Sequence, residues 1–176
     1  MKLLALDLST SNSGWSIFED GKLIEYGNVP EASYKGKSSE RYPQRTGKVG
    51  LMMATTIYNT IITKHNPDKI VIEEASPNGI AGVKSIKSLC MLHGSLLTVI
   101  LQHNNPVYNS ISFLSPREWR GAVNLKKNGD FKASSVNLVN KMFNLNLDYY
   151  LHDISDSILL GYGFLKLGGY LAWLYS

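Results

Sequence analysis

Apolar and polar positions fall in blocks along this chain, and the spacing within each block changes from one to the next. Leu3–Leu8 is a short apolar run of strand character, interrupted by an acid at Asp7. Gly14–Glu19 is a second such run, and Asp20-Gly21 is a hairpin signal ahead of a third, Lys22–Tyr26. These three runs predict an antiparallel meander. Pro30–Pro43 is polar and carries Gly, Ser and Lys, as a loop does. From Gln44 to His65 the spacing becomes helical, with Val49, Met52, Met53, Ile57 and Ile61 in step, until Asn66-Pro67-Asp68 ends it. Lys69–Ala75 (KIVIEEA) reads as a strand that finishes on acids, and Ser76-Pro77-Asn78-Gly79 begins a turn. Ser85 to His103 is a second helix, with Leu89, Leu92, Leu96 and Ile100 on one stripe. Val107–Phe113 reads as a fifth strand, Ser115–Asp130 as irregular and basic, and Ser134–Phe143 as a helix; a last helix starts near Asp153.

The order βββαβαβαα predicts an α/β fold, a central mixed five-stranded sheet with helices on both faces. No repeat, linker or low-complexity tract divides the chain, so one domain over residues 1–176 is expected. Ligands of such sheets sit beyond the strand ends. That is where the acids fall.

Composition narrows the choice only a little. Eighteen Lys and Arg against fourteen Asp and Glu leave a net charge of +4, which permits a polyanionic partner without requiring one. The single cysteine, Cys90, excludes an internal disulfide and a cysteine metal cage. Met1-Lys2 leads directly into the first run without a secretory signal, so a cytoplasmic protein is expected. The C-terminal stretch ILLGYGFLKLGGYLAWLYS approaches the length of a membrane span, but Lys166 and four glycines interrupt it. A buried or dimer-packing helix is expected there, and no membrane partner.

An unpaired carboxylate inside a strand is costly, so Asp7 needs a partner or a task. Glu73 and Glu74 close the fourth strand, and strand alternation allows only one of them to share a site with Asp7. Asp153 and Asp156, three apart, share one face of the last helix. Singly, each has an ordinary explanation: a turn acceptor, a solvated strand end, a helix N-cap. Converging in one cleft they repel one another, and divalent cations are the natural counter-charge. Oxygen ligands suit Mg²⁺ or Mn²⁺, and two such ions support phosphodiester hydrolysis.

Four segments carry a resemblance: LLALDLSTSNSGWSIFEDGKLIEYG, IVIEEAS, PVYNSISFLSPREW and HDISDSILL. Together they resemble the RuvC-type Holliday junction resolvases of the ribonuclease H-like superfamily, in character the small RuvC-like endonucleases of bacteriophages. The resemblance implies a ribonuclease H-like fold and a homodimeric endonuclease that cuts four-way junctions and other branched DNA with two metal ions. It implies acidic ligands at Asp7, Glu73, Asp153 and Asp156, and favours Glu73 over Glu74. It implies DNA-phosphate contacts from Arg117, Arg120 and Lys132, and from Lys84 and Lys87 on the second helix. Dimerisation is expected through Ile86, Leu89, Leu92 and Leu96 of that helix. An aromatic wedge commonly follows the catalytic glutamate in bacterial resolvases; the corresponding residue here is Ser76, so broader branched-DNA cleavage is expected. If phage-encoded, the enzyme works in the cytoplasm of a bacterial host.

Three other functions fit parts of the pattern. A related nuclease acting on ribosomal RNA precursors shares the first strand, and the residues do not separate DNA from RNA. An ATP-binding domain of the actin and Hsp70 type shares the topology, but its phosphate hairpin needs a glycine where this chain has Ser9. A silent binder of branched nucleic acid would gain nothing from four carboxylates facing a polyanion.

Overall fold

The computed structural model describes residues 1–30, 42–76 and 82–169. The expected loop over 31–41, the turn over 77–81 and the end of the C-terminal apolar run lie outside the described residues. Five described strands form one mixed sheet: β1 (Lys2–Asp7), β2 (Asn12–Glu19), β3 (Lys22–Pro30), β4 (Lys69–Glu73) and β5 (Ile111–Leu114), in the order β3-β2-β1-β4-β5. β1 pairs antiparallel with β2, and β2 with β3; β4 runs parallel to both β1 and β5. The predicted hairpin forms at Asp20 and Gly21, both at positive φ, where Asp20 also accepts a 2.7 Å bond from the N-terminal ammonium.

Alternation along β1 builds two cores. Leu4, Leu6 and Leu8 face one side, with Ile70 and Ile72 of β4. There they meet α1 (Gln44–Ile57) and α3 (Val83–Gln102) through Met53, Ile57, Leu92 and Leu96. α1 passes through a π-helical turn, Tyr58–Ile62, into the short α2 (Thr63–His65). Leu3 and Ala5 face the other side, with Phe18 and Val71. That side is covered by α4 (Pro116–Ala122), α5 (Phe131–Phe143) and α6 (His152–Phe164), which contribute Trp119, Val139, Ile154 and Ile158. Helices therefore cover both faces, as the element order predicts.

Several boundaries differ from expectation. The fifth strand begins only at Ile111, because Pro106–Ser110 winds into a 3₁₀ turn capped by Asn105, whose side chain accepts from the Val107 amide. Within the stretch expected to be irregular, α4 forms behind a complete capping box: Ser115 and Glu118 bond each other's backbone amides, with Pro116 at the first helical position. Met52, expected on the buried stripe, is 37% exposed. Leu92 and Leu96 are wholly buried within the chain, which removes them from the expected dimer contact; Ile86 and Leu89 keep partial exposure. α3 is long and apolar enough to cross a membrane by length and composition, but its buried stripe packs on the sheet.

α6 lies close against the sheet because two glycines leave room. A methyl group on Gly14 would collide with the Asp153 carbonyl oxygen, and one on Gly161 would come within 2.6 Å of the Phe18 ring. The first obstacle is backbone and cannot swing aside. Gly94, exposed on α3, has nothing near its missing side chain. Gly14→Ala is expected to destabilise the protein by about 2 kcal/mol or more through overpacking. Gly94→Ala is expected to stabilise it by roughly 0.5–1 kcal/mol through helix propensity. Chemical denaturation of both variants checks the contrast, and equal effects would refute the close-approach explanation.

Candidate active site

Asp7 ends β1 on the Leu3–Ala5 side of the sheet, the side that α6 covers. The β1–β4 register pairs Leu6 with Ile72, so the next residues along, Asp7 and Glu73, adjoin. Glu73 shares its parity with Val71 and faces the same side; Glu74 lies just past the strand and is exposed. Across β2, Asp7 pairs with Gly14, over which the first turn of α6 lies with Asp153 and then Asp156. Two neighbouring strand ends and one helix start thus bring the four predicted acids to one end of the sheet.

The four acids act on one another's charge. Burial pushes the Asp7 carboxyl well above the usual carboxylate range, and the charges of Glu73, Asp156 and Asp153 push the same way. Arg120 partly offsets them. Burial raises Glu73 to about 7, opposed by a hydrogen bond from Trp119 and by Arg120, and assisted by Asp156. Asp156 is also raised, chiefly by burial, against the lowering effects of the nearby Ser135 hydroxyl, Arg120 and His152.

The acids have neighbours the sequence does not advertise. Trp119 Nε1 donates to Glu73 Oε2 at 2.7 Å from a fully buried ring. Asn28 donates to Asn12 at 2.6 Å, and Asn12 in turn donates to Asp153 Oδ2 at 2.5 Å. His152 Nε2 stands 3.2 Å from the other oxygen of Asp153. Arg120, which lowers Asp7, Glu73 and Asp156 alike, lies against two rings. Its guanidinium carbon is 4.9 Å from the Trp119 centroid and 4.5 Å from that of Phe131. The capping box before Trp119 is a readable signal for this helix. Nothing in the sequence marks Asn12 and Asn28, whose meeting depends on β2–β3 pairing.

Among the described residues, no three carboxylate, imidazole or thiolate groups already gather closely enough to hold one ion. Glu73 and Asp153 are instead bonded to partners of their own. The donor chemistry nevertheless fits a divalent cation. Asp156 Oδ1 is buried and accepts no well-formed hydrogen bond, although the Ser135 hydroxyl lies near enough to lower the Asp156 pKa, and an open carboxylate oxygen of this kind calls for an occupant. Asp7, Glu73, Asp153 and Asp156 would offer the hard oxygen ligands that Mg²⁺ or Mn²⁺ prefers.

A cleft of about 800 Å³ opens beside Glu73, lined also by Glu74, Ser76, Arg117, Arg120 and Phe131. Of the expected phosphate contacts, Arg117 and Arg120 line it, Arg117 exposed and Arg120 half-buried. Lys87 on α3 and Lys132 on α5 do not line it; Lys132 is exposed. Lys84 belongs to α3, and its side chain lies outside the described residues.

The raised pKa of Glu73 has a stability consequence. Its ordinary value is 4.5 and its folded value about 7, so the folded chain holds the extra proton between these limits and loses stability as pH rises through them. Glu73→Gln mimics the protonated form and keeps an acceptor for Trp119. In EDTA, the melting temperature of Glu73→Gln minus that of the parent is expected to grow from pH 4.5 to 7 and then level off. His93, pushed down to about 4 by burial, is common to both proteins and cancels. A pH-independent difference would show that Glu73 is not held against its charge.

No family model matches the chain, and no curated protein sequence matches it. Solved structures do. Thermus thermophilus RuvC in complex with a Holliday junction substrate is 12% identical, with a TM-score of 0.61, over 96% of this chain and 95% of that one. The yeast mitochondrial Holliday junction resolvase Ydc2 is 19% identical, with a TM-score of 0.64, over 97% and 80%. The fowlpox virus resolvase, solved with junction DNA, is 18% identical, with a TM-score of 0.53, over 95% and 98%. With its mixed sheet, its element order and helices on both faces, the chain has the ribonuclease H-like fold of the RuvC-type Holliday junction resolvases.

Proposed function

We propose that the protein is a metal-dependent, structure-selective endonuclease that hydrolyses phosphodiester bonds in branched DNA, four-way junctions included, with residues 1–176 acting as one nuclease domain. The observation that carries this is the set of mutually repelling carboxylates from β1, β4 and α6 around the open Asp156 Oδ1. A cluster so costly to maintain is retained for chemistry. The likeness of fold to three resolvases supports branched DNA as the substrate class.

Asp7, Glu73, Asp153 and Asp156 would hold Mg²⁺ or Mn²⁺, as two ions on the family pattern, whose charge supplies Lewis-acid activation of water and of the departing oxygen. The chain's own groups arrange the rest. Trp119 keeps one oxygen of Glu73 occupied and leaves the other for the cleft. Asn12 and His152 fix Asp153. Arg120, held against Trp119 and Phe131, presents a guanidinium to the scissile phosphate, and Arg117, Lys84, Lys87 and Lys132 take phosphates further along. The water oxygen bonds to phosphorus, the bond to the 3′ oxygen breaks, and that oxygen takes up a proton. The products are a 5′ phosphate and a 3′ hydroxyl. A homodimer would pair two such sites, using the outer surfaces of α1 and α3, where Leu51, Met52, Val83 and Leu101 are exposed. The setting proposed for this activity is the cytoplasm.

Asp7→Asn is expected to abolish cleavage of a synthetic four-way junction in Mg²⁺ or Mn²⁺. In EDTA the same variant is expected to bind the junction as tightly as the parent, or more tightly, since a charge that repels phosphate is gone. Retained cleavage would sink the assignment. Separately, Arg117→Ala with Lys132→Ala is expected to weaken binding to all DNA alike. The slope of log affinity against log salt should become shallower by about one for each phosphate no longer neutralised. An unchanged slope would remove both residues from the interface.

A further inference from the structure

Just ahead of α6, a 3₁₀ turn, Tyr149–Leu151, places two tyrosines at the surface. Tyr150 is 80% exposed, more than any other large apolar or aromatic residue among those described, and Tyr149 is 45% exposed. Their rings meet edge to face, with centroids 6.0 Å apart at 76°.

The turn is firmly built. Asp148 caps it through the Tyr150 amide, and the Leu151 amide donates to the Asp148 carbonyl. Just before it, the Asn140 side chain of α5 bonds both the amide and the carbonyl of Leu147, at 2.8 and 3.0 Å. The turn also reaches the acids. The Tyr149 ring lies 6.1 Å from the His152 ring, and His152 stands 3.2 Å from Asp153. A pair of exposed rings on a hydrogen-bonded turn therefore stands close to a candidate ligand, Asp153.

We propose that Tyr149 and Tyr150 form a base-stacking platform: Tyr150 stacks on an unpaired or splayed base at the branch point, and Tyr149 props it. This rests on the nuclease function proposed above and adds a specificity-determining contact to it. The charge pattern favours a base over a phosphate here. Beside four carboxylates with no metal bound a phosphate is repelled, and a nearby cation is drawn to the acids instead. Stacking of a base on a ring face needs no charge on either partner. Branched DNA differs from linear duplex in offering bases not stacked on both sides, so the platform selects for branching. Because the backbone of the turn is hydrogen-bonded before binding, little backbone ordering cost is added.

The test is binding of the full chain, in EDTA, to a four-way junction carrying 2-aminopurine at each branch-point position in turn. A linear duplex with the same label serves as the control. The parent is expected to change the fluorescence at one or more branch-point positions. Tyr150→Ala is expected to lose that change and to weaken junction binding about 5- to 100-fold, leaving duplex binding unaltered. Tyr150→Phe and Tyr150→Trp are expected to keep both. Equal binding by Tyr150→Ala overturns the platform. So does failure of Tyr150→Phe, which would put the contact on the hydroxyl, and so does an equal loss on linear duplex. If the parent cuts junctions while Tyr150→Ala remains indistinguishable from it, only the platform falls. If the parent neither binds nor cuts them, the nuclease function falls and takes the platform with it. An unchanged melting temperature, expected for so exposed a side chain, excludes misfolding as the cause.

Discussion

Repulsion among like charges in a cleft of low dielectric is the constraint around which this end of the molecule is organised. Asp7, Glu73 and Asp156 are all raised from their ordinary values, each first by burial. A fold optimised for stability alone would disperse such groups or replace them. This one instead sets neutral donors against two of the four acids: the Trp119 indole on Glu73 and the Asn12 amide, itself held by Asn28, on Asp153. Arg120, the guanidinium that acts on three of them, is held between two rings. Neutral donors orient carboxylates without cancelling their charge, which leaves the set able to take up a cation.

The layers of the fold serve that arrangement. Parity along β1 puts Asp7 on the side that α6 covers, and the same parity along β4 brings Glu73 there. The absence of a side chain at Gly14 lets the first turn of α6 come down to the strand, carrying Asp153 with it. On the opposite face, the α1 and α3 core has no acid of the set and packs through apolar side chains. One face of the sheet therefore supplies rigidity and the other supplies chemistry.

Much of this is legible in the chain, for identifiable reasons. Asp7 stands out because an acid inside an apolar run contradicts burial, and the acids on KIVIEEA and HDISD stand at element ends that the hydrophobic period locates. The parity that separates Glu73 from Glu74 becomes readable only with Val71 seen facing α6. Trp119, Asn12 and Asn28 are not legible, because their bonds join residues on different elements whose relative placement is a property of the packed sheet. The late start of β5 and the presence of α4 are written locally, in Asn105-Pro106 and in the Ser115–Glu118 box. There, turn and cap chemistry outweighs apolar pattern. The stripe on α3 is correctly placed as apolar, but a stripe does not say whether it meets its own sheet or a second copy.

The bond from Asn12 to Asp153 carries a liability of a chemical kind. An asparagine side chain is an amide, and slow hydrolysis of that amide turns it into aspartate with almost no change of shape. At Asn12 the product would aim a further carboxylate at Asp153 Oδ2, where a hydrogen-bond donor now stands. Attraction would become repulsion with every backbone atom still in place. An aged sample of this protein would then keep its fold, its size and its spectrum while its acidic cluster lost its alignment. The working lifetime of the site is thus tied to one side-chain amide, and not to the stability of the sheet that holds it.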